Sequence, residues 1–85
     1  MIDKKELLLK ALARTVQKKR GTMSITQLAM ESEISKSILS VVEKGKRDIQ
    51  LSTFIKLAEA LYLKPTELLS EIEKELGEDF SFLEQ

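Results

Sequence analysis

The chain has 85 residues, 42% of them hydrophobic and 33% charged, with a formal net charge of zero; that length suits one domain, and that balance suits a folded one rather than a disordered segment. It contains no cysteine and no histidine, which excludes disulfides, Cys/His zinc sites and Ser-His-Asp or Cys-His nucleophiles. No apolar run approaches a signal peptide or a membrane span, and cysteine-free chains fit a reducing compartment, so the expectation is a soluble cytoplasmic protein with no membrane partner, no cofactor, no metal and no catalytic residue.

Helical periodicity runs through the chain, and alternating strand patterns are almost absent. The first predicted helix spans about Asp3 to Lys19, where Leu8, Leu9, Leu12, Ala13 and Val16 share one face. Lys18, Lys19 and Arg20 complement the dipole of its last turn, and Gly21 stops it. The second starts after Ser24, because Ser24-Ile25-Thr26-Gln27 fits a capping box in which the serine accepts from the third helical amide and Gln27 reaches back. Leu28 and Ala29 face inward, and this helix closes near Ser32. The third follows Ser35 as cap and runs from Lys36 to about Glu43, with Leu39 and Val42 as its buried edge and Gly45 as a left-handed stop.

The fourth helix takes residues 51–61, with Leu51, Phe54, Leu57, Ala58 and Leu61 on its inner face and either Gln50 or Ser52 as its cap. The fifth follows Lys64-Pro65, with proline at the first helical position, Glu67 in the first turn, a stripe of Leu68, Leu69, Ile72 and Leu76, and Gly77 at its end. The expected architecture is all-α, five helices over residues 1–77, followed by a tail over 78–85. In that tail Phe80, Phe82 and Leu83 have two options, their own chain or a dimer partner. Glu71 and Glu75 lie one turn apart on the fifth helix; with no cleft in view they read as a solvated face rather than an enzyme's carboxylate pair.

Helices two and three are joined by only Glu33-Ile34-Ser35, a link that suits two helices crossing steeply with Ile34 plugged between them. The third helix then presents Lys36, Ser37, Ser40, Val41 and Lys44 outward. Positions 37, 40, 41 and 44 follow the i, i+3, i+4, i+7 rule and form one strip of a size that fits the DNA major groove. Charge supports the same direction: residues 1–50 hold eleven Lys/Arg against six Asp/Glu, and residues 51–85 hold three against eight. The first half is the one that can face a phosphate backbone.

The stretches Met23 to Ala29, Ile34 to Ser37, Glu43-Lys44-Gly45-Lys46-Arg47 and Leu57-Ala58-Glu59-Ala60-Leu61 resemble the phage repressor/Cro (XRE-like) type of helix-turn-helix domain, over roughly residues 7–70. That resemblance implies a compact repressor-like fold and a sequence-specific regulator of transcription on double-stranded DNA, a homodimer on a palindromic operator, pairing through helix five and the tail. It implies base reading by Lys36, Ser37, Ser40 and Val41, and phosphate contacts by Thr26, Gln27, Lys44, Lys46 and Arg47. It also implies an ion pair between Glu43 and an arginine of the first helix; the aligned position holds Gln17, which leaves Arg14 as the stand-in.

The chain departs from the family in several places. Ile25 replaces a bridging glutamine, Glu33 and Tyr62 stand where glycine is usual, Ile49 replaces a proline, and Val41 replaces a polar reader yet can still meet a thymine methyl. The losses at Ile25 and Val41 motivate an alternative, a protein-interaction module or an antitoxin that pairs with a toxin. Ile25, Ile38 and Val41 read as peripheral core; exposed together, they would instead point to a protein partner.

Overall fold

The computed structural model describes residues 3–83. It contains five helices and, among the described residues, no strand: α1 (Lys4–Arg20), α2 (Ile25–Ser32), α3 (Lys36–Glu43), α4 (Leu51–Ala60) and α5 (Pro65–Leu76). No helix among them is long and apolar enough to cross a membrane.

Local chemistry sets most helix ends. Asp3 caps α1 by accepting from the Lys5 amide, and Ser24 and Ser35 cap α2 and α3 by accepting from the Gln27 and Ile38 amides. Gly21 and Gly45 adopt the positive φ that ends α1 and α3. At α3 the Lys46 amide donates to the Val41 carbonyl and the Gly45 amide to that of Val42, the paired bonds of a Schellman stop. The same pair ends α4, from Leu63 to Ala58 and from Tyr62 to Glu59. There the left-handed residue is Tyr62, at φ 61. Gln50 precedes α4 without a side-chain cap bond. Glu67 reaches back to the Lys64 amide at 2.7 Å to close the start of α5.

The core gathers one edge from every helix. Val16 of α1, Leu28 of α2, Leu39 and Val42 of α3, Leu57 of α4 and Leu68 of α5 are all sealed from solvent. Burial of each contributes about 1.5–3 kcal/mol. Ile34 is buried in the link between α2 and α3, as its spacing implied, and the Ser32 hydroxyl accepts from its amide at 3.2 Å. Two stripe residues depart from expectation. Leu51 is 74% exposed and Leu69 is 50% exposed, because the first turn of α4 projects past the core and Leu69 sits on the flank of α5 beside the buried Leu68 and Ile72.

Helix α1 packs on α5 and α3, while α2 packs on α3 and α4. The α1–α5 seam carries charge as well as apolar contact: Lys18 pairs with Glu75, and Glu71 meets Lys19 at 3.4 Å and Lys74 at 3.1 Å. The two carboxylates are therefore helix-to-helix ties rather than a merely solvated face. Lys74 and Lys19 hold the Glu71 carboxyl below the usual carboxylate range. In the tail, Lys4 donates to the Ser81 carbonyl, Phe80 is half-buried against Phe82 in an edge-to-face pair 5.4 Å apart, and Leu83 is exposed.

Glu33 ends α2 at φ 60, ψ 27, in the left-handed region, with a Cβ that glycine would lack. That conformation costs a non-glycine residue about 1–2 kcal/mol, whereas glycine's extra unfolded-state freedom costs about 0.5–1. Glu33→Gly is therefore expected to raise the calorimetric melting midpoint by roughly 2–6 °C. A lower midpoint would mean that the glutamate side chain compensates its own strain.

Candidate nucleic-acid interface

The α2–link–α3 unit places its polar residues according to the helix phase set by the core. With Leu39 and Val42 turned inward, Lys36, Ser37 and Lys44 are exposed, and Ser40 and Val41 are half-buried between them. The strip is thus recessed and small in its middle, with a cation at each end. Ser37 shares its hydroxyl with the Ser35 cap, Oγ to Oγ at 3.3 Å. Lys46 and Arg47 follow on the exposed side of the Schellman stop, and Thr26 and Gln27 are exposed on the first turn of α2. Ile25 and Ile38 are half-buried and packed on the core, so the three apolar side chains flagged from sequence do not form one exposed patch.

Charge on this surface is unspent. Lys36, Lys44, Lys46 and Arg47 make no ion pair among the described residues, whereas Lys5, Lys18, Lys19 and Arg20 of α1 each meet a carboxylate. Exposed cations with no internal partner, beside helix amides at the start of α2, make a surface suited to phosphate.

The recognition unit is fastened at its far end. Arg20 grips Glu43 with two bonds, Nε to Oε2 at 2.7 Å and Nη2 to Oε1 at 2.9 Å, while Nη1 donates to the Met23 carbonyl at 2.8 Å. Gln17 donates from Nε2 to the Glu43 carbonyl at 2.7 Å. The arginine is therefore Arg20, not Arg14, which is exposed. Arg14 lies six residues earlier, about 9 Å back along the helix, and so misses the end of α3. Arg20 is three residues past Gln17 and close to it on the helix face, a spacing visible in the sequence but hidden in the basic run that reads as dipole complement. Glu43 raises the Arg20 pKa above its ordinary value, chiefly through the side-chain hydrogen bond.

A second network was not anticipated. The Gln27 side chain does not reach back to the cap; its Nε2 donates to Glu31 Oε2 at 2.8 Å. Turning forward lets its amide donate a charge-assisted bond to the carboxylate one turn on, in place of accepting a neutral bond from the cap amide. Tyr62 Oη donates to the other oxygen, Glu31 Oε1, at 3.0 Å, which raises the Tyr62 hydroxyl above its ordinary value.

Comparison with known proteins bears on the family and the fold. A helix-turn-helix family model matches residues 16–68. The control protein C.BamHI of Bacillus amyloliquefaciens is 29% identical over 69 residues, which cover 81% of this chain and 85% of that protein. The crystal structure of the restriction-modification controller protein C.AhdI from Aeromonas hydrophila aligns with a TM-score of 0.67 at 32% identity, covering 71% of this chain and 94% of that one.

If the Arg20 fork holds α3, Arg20→Ala will destabilise the fold by about 1.5–3 kcal/mol, the range for hydrogen bonds to charged groups. Arg14→Ala will change it by less than about 0.5 kcal/mol, as at an ordinary surface site. Urea denaturation of both variants checks this; equal losses would contradict the assignment.

Proposed function

The chain belongs to the helix-turn-helix family and is a DNA-binding transcriptional regulator, and we propose that it reads a two-fold-related operator as a homodimer, with α3 in the major groove. The observation that carries this reading is the set of four cations, Lys36, Lys44, Lys46 and Arg47, with no ion pair among the described residues, at the two ends of a short strip recessed in its middle. Lys44, Lys46 and Arg47, with Thr26 and Gln27 on the first turn of α2, contact phosphates and fix register. Lys36, Ser37, Ser40 and Val41 face base edges and supply sequence choice. The strip has few long polar readers, so the phosphate contacts supply most of the affinity and Lys36 with the serines supplies the preference.

The second copy docks on α5 and the first turn of α4. Leu51 and Leu69 rise beside an apolar groove of about 300 Å3 floored by Leu8, Leu12, Phe54 and Ile72. An apolar rim this exposed on so small a chain suits a self-complementary contact, and it lies on elements other than α2 and α3. The exposed Phe82 and Leu83 of the tail extend the apolar area available to the partner. C.AhdI is a restriction-modification controller, and the genes this chain regulates are, on that likeness, those of a restriction-modification pair.

Titration of duplex DNA at a series of salt concentrations tests the reading. Three phosphate-binding cations per protomer predict a log–log slope of about −5 for the dimer, from roughly 0.9 per neutralised phosphate. Lys46→Ala or Arg47→Ala will weaken binding to all sequences and flatten that slope by about 2 per dimer. Lys36→Ala or Ser37→Ala will instead change the ranking of sequences. Negligible duplex binding at low salt would overturn the proposal.

A further inference from the structure

Tyr62 is an odd residue for its place. It occupies the left-handed position of the α4 stop, where the absence of a Cβ favours glycine, and it is 78% exposed, so core packing does not hold it there. Strain of this kind persists where the surroundings use it. The ring's polar end crosses to α2, where its hydroxyl donates to one oxygen of Glu31 while Gln27 donates to the other. Glu31 is equally odd: a carboxylate one turn behind two residues read as phosphate contacts repels the phosphate it stands near. A strained backbone, an exposed aromatic and an unfavourable charge converge on the side-chain amide of Gln27.

We infer that Tyr62 and Glu31 are positioning residues for Gln27, acting through a chain of hydrogen bonds that sets its amide before DNA arrives. Tyr62 anchors the Glu31 carboxylate. The carboxylate takes one N–H of Gln27 and fixes a side chain that otherwise has much rotamer freedom to lose on binding. The second N–H remains for a phosphate oxygen. Both carboxylate oxygens are occupied by donors, which blunts the repulsion toward the phosphate. This inference rests on the reading of Gln27 as a phosphate contact. Because Gln27 and Tyr62 are neutral, their contribution is to affinity on every sequence and not to the salt slope.

The test uses the full chain and a mixed-sequence duplex at fixed low salt, with Gln27→Ala, Tyr62→Phe and the double variant, alongside the 15N spectrum of the Gln27 side-chain amide in free protein. Tyr62→Phe changes neither charge nor backbone. Each single variant is expected to weaken binding roughly two- to tenfold, the range for one hydrogen bond, with the salt slope unchanged. The double variant is expected to bind no more weakly than Gln27→Ala alone, and Tyr62→Phe to shift the Gln27 amide resonances. Additive losses in the double variant, or unchanged resonances and affinity in Tyr62→Phe while Gln27→Ala still weakens binding, overturn the positioning role and leave Gln27 as a contact. Wild-type affinity in Gln27→Ala overturns both.

Discussion

Helix α3 is eight residues long, too short to keep its shape alone in water, so its position depends on what fixes both its buried edge and its end. Leu39 and Val42 seat the edge in the core. Apolar packing alone leaves a short helix some freedom to slide and roll. The Arg20 fork on Glu43, with Gln17 on the Glu43 carbonyl, removes that freedom at the terminus from which Lys44, Lys46 and Arg47 depart. Arg20 also holds the Met23 carbonyl just ahead of α2, so one guanidinium ties the entry to α2 and the exit from α3 to the same helix. The bonds are charge-assisted, directional and part-buried, conditions under which an ion pair contributes more than a fully exposed contact does.

The division of charge follows from the same layout. Much of the positive charge of α1 is spent inside the molecule, on Glu43, Glu71, Glu75 and Asp48. Helix α5 supplies two of those partners, and its acidity is thereby partly neutralised along the seam. Among the described residues the cations at the two ends of α3 make no ion pair, and they stand together on one surface where an external anion can meet them. A chain with zero net charge can therefore carry a basic working face, because its neutrality is a sum over two faces with different tasks.

Features set by neighbouring residues were legible in the sequence. Ser24 and Ser35 as caps, Gly21 and Gly45 as stops, Ile34 as plug and the buried edge of α3 are each decided within a few positions. The positions named for the interface lie on α2, α3 and the following loop, exposed or half-buried. Features that depend on helix phase in three dimensions were less legible. Leu51 and Leu69 fit an apolar stripe, but the core is narrower than the stripe. Arg20 rather than Arg14 meets Glu43 because the end of α3 falls at the last turn of α1. Gln27 matched a capping box by spacing, yet its side chain turns forward and donates to the Glu31 carboxylate instead. Glu33 and Tyr62 in left-handed turns could be suspected only from the resemblance, since nothing in their own chemistry asks for that conformation.

In the proposed complex one face, built from α2, α3 and the loop after them, meets DNA while α5 and the tail do not. The most direct measurement is a map of backbone amide shifts in 15N-labelled protein as duplex DNA is added. Changes are expected to concentrate at Thr26, Gln27, Lys36 to Lys44, Lys46 and Arg47, with α5 little moved. Changes centred on α5 and the tail, with α3 undisturbed, would contradict it.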